Sequence, residues 1–391
     1  MPAALIRGRM RPRRPDEQHR AASPLELLFD LTFVVAVAAA AAEFAHSVAD
    51  GHPEVVGFLQ VFFTIWWAWM NFTWFASAYD TDDVAYRLLT LLQMGGVLVL
   101  AAGVPTAAAD ADFRLVTLGY LIMRLGQIAQ WVRAGVENPA ERRTAFRNAV
   151  GISVLQLGWL IRTATGETTT LTFACLAVLE LTVPWWAQRK RDTGWHPHHI
   201  AERYSLFTII LLGESVLAVS NAVRATEVSA GLVVIGVGGL VLLFALWWLY
   251  FLQPAGHGLE RNRDQSFLWG YAHFGLFAAL AALGAGLEVA VEQTSHHLPL
   301  SPTSAGYAVA VPAGLFVALL WGVTRTILAR PTLRLSTSVV GVVLIALAPL
   351  LGPYAGVPLV VVLVALVCVL VVAVTQVQEA ASSPGTTSPH S

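Results

Sequence analysis

Residues 230–251 read Ala-Gly-Leu-Val-Val-Ile-Gly-Val-Gly-Gly-Leu-Val-Leu-Leu-Phe-Ala-Leu-Trp-Trp-Leu-Tyr-Phe and contain no charged residue. Residues 357–374 are equally apolar. Neither stretch has the polar stripe, at a period of 3.6 residues, that a helix on the surface of a soluble protein carries. A helix needs about 20 apolar residues to cross the hydrocarbon core of a bilayer. Both stretches therefore predict transmembrane helices.

The rest of the chain has the same character. Hydrophobic residues make up 56% of the 391 positions and charged residues 13%, against about 25% charged residues in soluble domains. The predicted fold is an all-α, polytopic transmembrane helical bundle. Its twelve candidate spans are 25–47, 54–78, 86–107, 113–134, 146–164, 169–187, 204–223, 229–252, 266–290, 304–327, 335–352 and 355–377.

The basic residues predict the orientation. Of the 24 Lys and Arg residues, two fall inside predicted spans and three lie near one face, at Arg114, Arg162 and Arg224. The other nineteen lie toward the opposite face, which is the cytoplasmic one because short loops rich in Lys and Arg stay inside. Both termini are then cytoplasmic. The first apolar run contains Glu26 and Asp30 and is too long for a signal peptide, so we interpret it as an uncleaved first helix.

The chain shows signs of an internal duplication. The first predicted span of each half contains an acidic residue, Asp30 or Glu214. In each half a Trp-Trp pair in the next span precedes an aspartate of the following loop by 17 positions: Trp66 and Asp83, Trp247 and Asp264. Because six spans is an even number, two such halves would have the same topology, related by an axis along the membrane normal.

This duplication predicts five regions. They are a basic cytoplasmic tail at 1–22, a first six-helix half at 23–187, a cytoplasmic linker at 188–203, a second six-helix half at 204–377 and a disordered cytoplasmic tail at 378–391.

Three blocks resemble the bacterial low temperature requirement A (LtrA) family. They are Ser23-Pro-Leu-Glu-Leu-Leu-Phe-Asp-Leu-Thr-Phe-Val34, Tyr79-Asp-Thr-Asp-Asp-Val-Ala-Tyr-Arg-Leu-Leu89 and Glu202-Arg-Tyr-Ser-Leu-Phe-Thr-Ile-Ile-Leu-Leu-Gly-Glu-Ser215. The resemblance runs from about Ser23 to Val377. It implies a multi-span protein of the bacterial plasma (inner) membrane. The family takes its name from a cold-growth phenotype, and the resemblance supplies no catalytic residue.

A looser similarity links residues 29–34 to an organellar and bacterial potassium/proton channel family. That family has a Phe-small-Asp signature early in its first helix, repeated after six spans. Here no Ser separates Phe29 from Asp30, and the second half has Gly213-Glu-Ser215 instead. The likeness suggests a channel only by analogy.

Asp30 and Glu214 are the main candidates for an ion or proton pathway. A carboxylate at the bilayer centre costs about 2.5–3.5 kcal/mol on insertion scales, so it normally faces a partner, a cavity or a pathway. Arg124 is the expected counter-charge, and Glu26 shares a helix face with Asp30 because the two are four residues apart. His273 is a candidate proton relay.

Each of these residues also has a structural interpretation. Asp30 could form a buried salt bridge to Arg124 or Arg203 that holds helices together, and His273 could make a helix–helix hydrogen bond. Under that interpretation the charges stabilise the bundle and no ion passes.

An acidic loop on the predicted cytoplasmic side forms a candidate gate. Under the duplication, Arg261 and Arg263 lie opposite Asp80 and Asp82, so these two residues and the loop that contains Asp80, Asp82 and Asp83 could pair across the halves. Three carboxylates could also bind Mg²⁺ or Ca²⁺, but no EF-hand pattern follows. The nearby His196-Pro-His-His199 has no spacing that fixes a metal. We expect a solvated loop there, and no metal site.

The sequence therefore favours a secondary transporter or an ion/proton channel that uses buried carboxylates. The alternative is a non-transporting membrane protein with a structural or sensing role in cold or envelope stress. No enzyme motif such as H-E-x-x-H or G-x-S-x-G occurs. We expect no cofactor and no nucleic-acid partner. The expected partners are the lipid bilayer and a small ion or proton, and oligomer formation stays open.

Overall fold

The computed structural model describes residues 7–13, 21–189, 194–224, 229–296, 298 and 300–382. It does not describe the side chains of Asp80, His296 and Ser382. The predicted disordered tail at 378–391 lies largely outside these ranges. The helices are α1 (Pro24–Ala49), α2 (Val55–Ala78), α3 (Val84–Ala102), α4 (Val104–Asp110), α5 (Arg114–Glu137), α6 (Arg142–Ala164), α7 (Thr170–Gln188), α8 (Pro197–Arg224), α9 (Ala230–Phe251), α10 (Ala255–Arg261), α11 (Ser266–His296), α12 (Pro302–Ile327), α13 (Leu335–Leu347) and α14 (Gly352–Ser382).

The prediction of an all-helical membrane protein is confirmed. Within the described ranges, nine helical segments are long and apolar enough to cross a bilayer. A helix covers each of the twelve predicted spans. However, α5 and α6 are not among the nine, and α13 and α14 form one continuous candidate segment. The exact number of spans therefore stays a prediction.

Local sequence explains where the main helices begin and bend. Ser23 and Glu26 form a capping box at the start of α1, in which the Ser23 hydroxyl accepts from the Glu26 amide and the Glu26 carboxylate accepts from the Ser23 amide at 2.7 Å. Pro24 occupies the first turn, where no amide donor is needed. In α14, Gly356 has φ 76°, a backbone conformation that favours glycine, and the helix kinks there before Pro358.

A short N-terminal segment packs against the ends of the helices. Strand β1 (Arg11–Pro12) pairs antiparallel with β2 (Tyr79–Asp80), which follows α2. The Met10 amide donates to the Glu137 carboxylate at the end of α5. These contacts place part of the predicted N-terminal tail on the bundle itself.

Small residues permit the closest helix contacts. A Cβ on Gly119 of α5 would overlap the backbone of Leu100 in α3, and a Cβ on Gly286 of α11 would overlap the carbonyl of Ala308 in α12. Such backbone approach is typical of membrane helices, where small residues replace the hydrophobic effect as the source of tight packing. The pairs α3–α5 and α11–α12 are thereby held at short separation.

Candidate functional site

A buried ion pair joins α1 to α8. The guanidinium of Arg203 donates to both carboxylate oxygens of Asp30, at 2.5 and 2.9 Å, and the Trp69 indole on α2 donates to the same carboxylate at 2.7 Å. Asp30 and Arg203 are each at most 1% exposed. The carboxylate is thus compensated in charge and in hydrogen bonds, as a buried ion requires. This is the salt-bridge interpretation of Asp30.

Glu26 and His199 extend this pair. Glu26 lies 3.2 Å from Arg203 and 3.2 Å from the Nε2 atom of His199. We call Glu26, Asp30, His199 and Arg203 the ion-pair cluster. Its contacts join residue 26 to 199 and residue 30 to 203, so both partners advance by four residues. Helices α1 and α8 therefore run parallel, and both begin at the same face of the bundle, which we call the Pro24 face.

Two predictions about this region were wrong. Arg203 was expected in a cytoplasmic loop and His196-Pro-His-His199 in a solvated one. Helix α8 instead begins at Pro197, because proline is well tolerated in a first helical turn. Both Arg203 and His199 are fully buried.

Arg124 forms a second buried pair, and its predicted pairing with Asp30 or Glu214 was wrong. It donates to Glu180 on α7 at 3.0 Å and to the Tyr120 hydroxyl at 2.5 Å. Indole donors of Trp67 and Trp159 reach the same Glu180 carboxylate at 2.8 and 3.2 Å. This pair links α5, α6 and α7 with α2, so it stabilises the first half of the bundle.

Glu214 has different surroundings. Its Oε2 atom is buried and accepts no hydrogen bond within the described part of the chain. Glu288 on α11 interacts electrostatically with Glu214, Glu292 and His46. We call these four residues the carboxylate cluster. Gly284, one turn before Glu288, brings α11 close to α8 at Ser215.

The carboxylate cluster is near an opening at the other face of the bundle, which we call the Arg224 face. His46 also lines a cavity of about 160 Å³ together with Glu43, Asp50 and Glu54. These residues belong to the end of α1 and to its connection with α2. Acidic side chains therefore extend from this face toward Glu214.

An apolar layer separates the two clusters. Arg203 and Glu214 are eleven residues apart on α8, which is about three turns and roughly 16 Å. Phe207 and Leu211 occupy the same helix face between them and are fully buried. The predicted duplication would bring Asp30 and Glu214 to matching depths. That expectation was wrong, since Asp30 lies level with Arg203.

His273 is a buried hydrogen-bonding residue of α11. Its Nε2 lies 3.2 Å from the Tyr250 hydroxyl of α9, and its Nδ1 lies 2.8 Å from the Trp269 carbonyl. These contacts match the helix–helix hydrogen bond considered for it. They do not test a relay role.

The acidic loop was predicted to pair with Arg261 and Arg263. For Asp82 and Asp83, whose side chains are described, this prediction was wrong. Asp82 pairs with Arg87 at 2.6 Å, and Asp83 pairs with Arg133 at 2.6 Å. The hydrogen bond from Arg87 lowers the pKa of Asp82. Both partners belong to the first half, because α3 and α5 present their arginines directly to this loop. The side chain of Asp80 lies outside the described part.

The two basic residues of that proposed gate lie elsewhere. Arg263 donates to the Trp195 carbonyl at 2.9 Å and stacks over the Trp195 ring. Arg261 is exposed at the end of α10.

Comparison with known proteins identifies the family. The model of the bacterial low temperature requirement A protein (LtrA) family matches residues 21–375. This chain belongs to the LtrA family. Among LtrA-like sequences, it is 25% identical over 294 residues to the uncharacterized protein RA0937 of Rhizobium meliloti (strain 1021), an alignment that covers 69% of each protein. No solved structure matches this chain.

Sequence reasoning missed three of the four members of the carboxylate cluster in this LtrA protein. Glu288 and Glu292 fall at the end of a predicted span, where acidic residues are usually solvated, and His46 ends the first span. The structure extends α11 to His296, which places Glu288 well inside a helix. The four-residue spacing of Glu288 and Glu292, which puts both on one helix face, was the available signal.

We predict that Asp30→Asn strongly destabilises the protein, because it leaves the buried Arg203 undercompensated. Removing one partner of a buried pair costs about 3–5 kcal/mol, whereas an exposed pair contributes about 0–1 kcal/mol. Asp82→Asn, which breaks the exposed pair with Arg87, is the matched control. Thermal unfolding in one detergent should show a large loss of melting temperature for Asp30→Asn only. Equal melting temperatures for the two variants would contradict a structural role of the ion-pair cluster.

Proposed function

We propose that this LtrA-family protein is a secondary transporter or ion channel that moves protons or small cations, with Glu214 as its central carboxylate. The observation that carries the proposal is the buried Oε2 atom of Glu214, which has no hydrogen-bond partner within the described residues, together with the electrostatic interaction between Glu214 and a second glutamate, Glu288. By contrast, Asp30 and Glu180, the carboxylates of the two buried ion pairs, each have an arginine partner.

The chemistry of this arrangement favours a cation. Two carboxylates close together in a low-dielectric region repel one another, and a proton or a cation between them relieves that repulsion. Because Glu214 forms no salt bridge within the described part of the chain, the site can gain and release its cation without breaking one. An intramembrane ionisable group of this kind is a functional candidate by default.

The route we propose passes from the acidic cavity at the Arg224 face, through His46 and Glu288, to Glu214. Phe207 and Leu211 then block the way to the ion-pair cluster. A rearrangement of α8 against α1 would open this layer, which is what alternating access or gating requires. Glu26 and Asp30 would form the barrier at the Pro24 face, through their contacts with Arg203.

The alternative function is a structural or sensing role without transport. The fully compensated pairs Asp30–Arg203 and Arg124–Glu180 favour it, since both are satisfied without any ion. Under this alternative Glu214 would be a tolerated polar residue near the membrane surface.

We also propose the topology. Twelve spans form two six-helix halves in a bacterial plasma membrane, with both termini in the cytoplasm. The parallel course of α1 and α8 supports it, because an odd number of crossings must lie between two parallel helices, and this topology places five between α1 and α8. The close pairs α3–α5 and α11–α12 occupy equivalent places in the two halves, which supports the repeat.

Reporter fusions test this topology. A fusion after Gly166, between α6 and α7, should report an external location, and a fusion after Pro331, between α12 and α13, a cytoplasmic one. The Lys and Arg asymmetry is the reason. The reverse pair of results would contradict the orientation, and two identical results would contradict the number of spans.

Flux measurements in proteoliposomes test the transport function. Glu214→Gln keeps the shape of the side chain and removes its charge. We expect it to lose most of the proton or cation flux that a pH or cation gradient drives in the wild-type protein, while its melting temperature stays near the wild-type value because no partner is stranded.

Glu167→Gln, in the exposed connection after α6, is the control and should keep full flux. Wild-type flux in a Glu214→Gln, Glu288→Gln double variant would contradict the proposed pathway. If the wild-type protein shows no flux of protons, Na⁺ or K⁺ in this assay, the result would favour the structural alternative.

A further inference from the structure

Two histidines and a glutamate converge outside the membrane-spanning part of the Pro24 face. The Nε2 atom of His198 lies 3.6 Å from Glu260, and the Nδ1 atom of His257 lies 3.8 Å from the same carboxylate oxygen. All three ligand atoms lie within 4.8 Å of one another. The side chains are 46%, 69% and 62% exposed for His198, His257 and Glu260, so a solute can reach them.

We propose that these three side chains bind a divalent transition metal of the Zn²⁺ class. Two imidazole nitrogens and one carboxylate oxygen are a known ligand set for Zn²⁺, with the fourth position left to water or another ligand. Bond lengths of about 2.0–2.2 Å place neighbouring ligand atoms of a tetrahedral site about 3.3 Å apart. The observed separations approach this value, and small rotations of exposed side chains supply the difference.

The local backbone positions the first ligand. Gly256 lies directly against the His198 imidazole, and a Cβ on it would overlap the ring at Nδ1 and Cε1. The glycine thus lets Nδ1 face the backbone of α10 while Nε2 points toward Glu260. Within α10, His257 and Glu260 are three residues apart, so they share one helix face.

The site would join two elements that are distant in sequence. His198 is in the first turn of α8, next to His199 of the ion-pair cluster, whereas His257 and Glu260 belong to α10 after α9. A bound metal would therefore tie the start of α8 to the α9–α11 connection. This inference does not depend on the proposed transport function, because none of the three ligands belongs to the membrane pathway.

Metal titration of the full-length protein tests the site. The protein is purified in detergent with an affinity tag that contains no histidine. Zn²⁺ should bind with a stoichiometry of one per chain by calorimetry, and Co²⁺ should give the intense visible absorption of a tetrahedral centre. His198→Ala, His257→Ala or Glu260→Gln should each weaken Zn²⁺ binding at least about tenfold.

Two further variants separate a built site from adventitious binding. His52→Ala, which removes an exposed histidine of the α1–α2 connection, should leave Zn²⁺ affinity unchanged. Gly256→Ala should weaken it about tenfold by displacing His198, with the protein still folded because that side chain can rotate outward. Gly213→Ala, where a Cβ meets nothing within 4 Å, is its control. Unchanged Zn²⁺ affinity in the three ligand variants, or no stoichiometric binding by the wild-type protein, would overturn the proposal.

Discussion

Burying charge in hydrocarbon is the constraint on which this bundle depends. An isolated ion there is expensive, so each buried charge needs a partner or a functional reason to be alone. The pair Asp30–Arg203 meets this constraint between α1 and α8, with Trp69 supplying a further donor. Because the two helices belong to different halves of the sequence, this pair fixes how the halves meet.

The remaining buried charges divide the molecule into two zones. At the Pro24 face the ion-pair cluster is compensated, and Arg124 with Glu180 is compensated within the first half. Toward the Arg224 face, Glu214 and Glu288 interact electrostatically, and the Oε2 atom of Glu214 has no hydrogen-bond partner within the described residues. Phe207 and Leu211 separate the zones. A closed apolar layer beside an acidic pocket is the arrangement that the proposed binding of a cation from one side at a time would need.

The sequence predicted the helical class, and a helix covers each predicted span, because long apolar runs indicate burial in lipid directly. It also identified Asp30 and Glu214 as unusual. It offered both Arg124 and Arg203 as partners of Asp30 and could not choose between them, since pairing depends on which helix faces meet. It also assigned Arg203 to a loop, because this residue follows a basic linker and a proline, whereas α8 starts at Pro197.

The separate chemical states of Asp30 and Glu214 are the central claim, and carbodiimide labelling tests it most directly. A hydrophobic carbodiimide reacts with a buried carboxyl group that carries a proton, whereas a carboxylate held by an arginine is protected. Mass spectrometry of the labelled protein should find modification at Glu214 and none at Asp30. The modification should decrease as the pH rises or when a cation that the protein is proposed to transport is added. Labelling of Asp30 in preference to Glu214 would contradict the account.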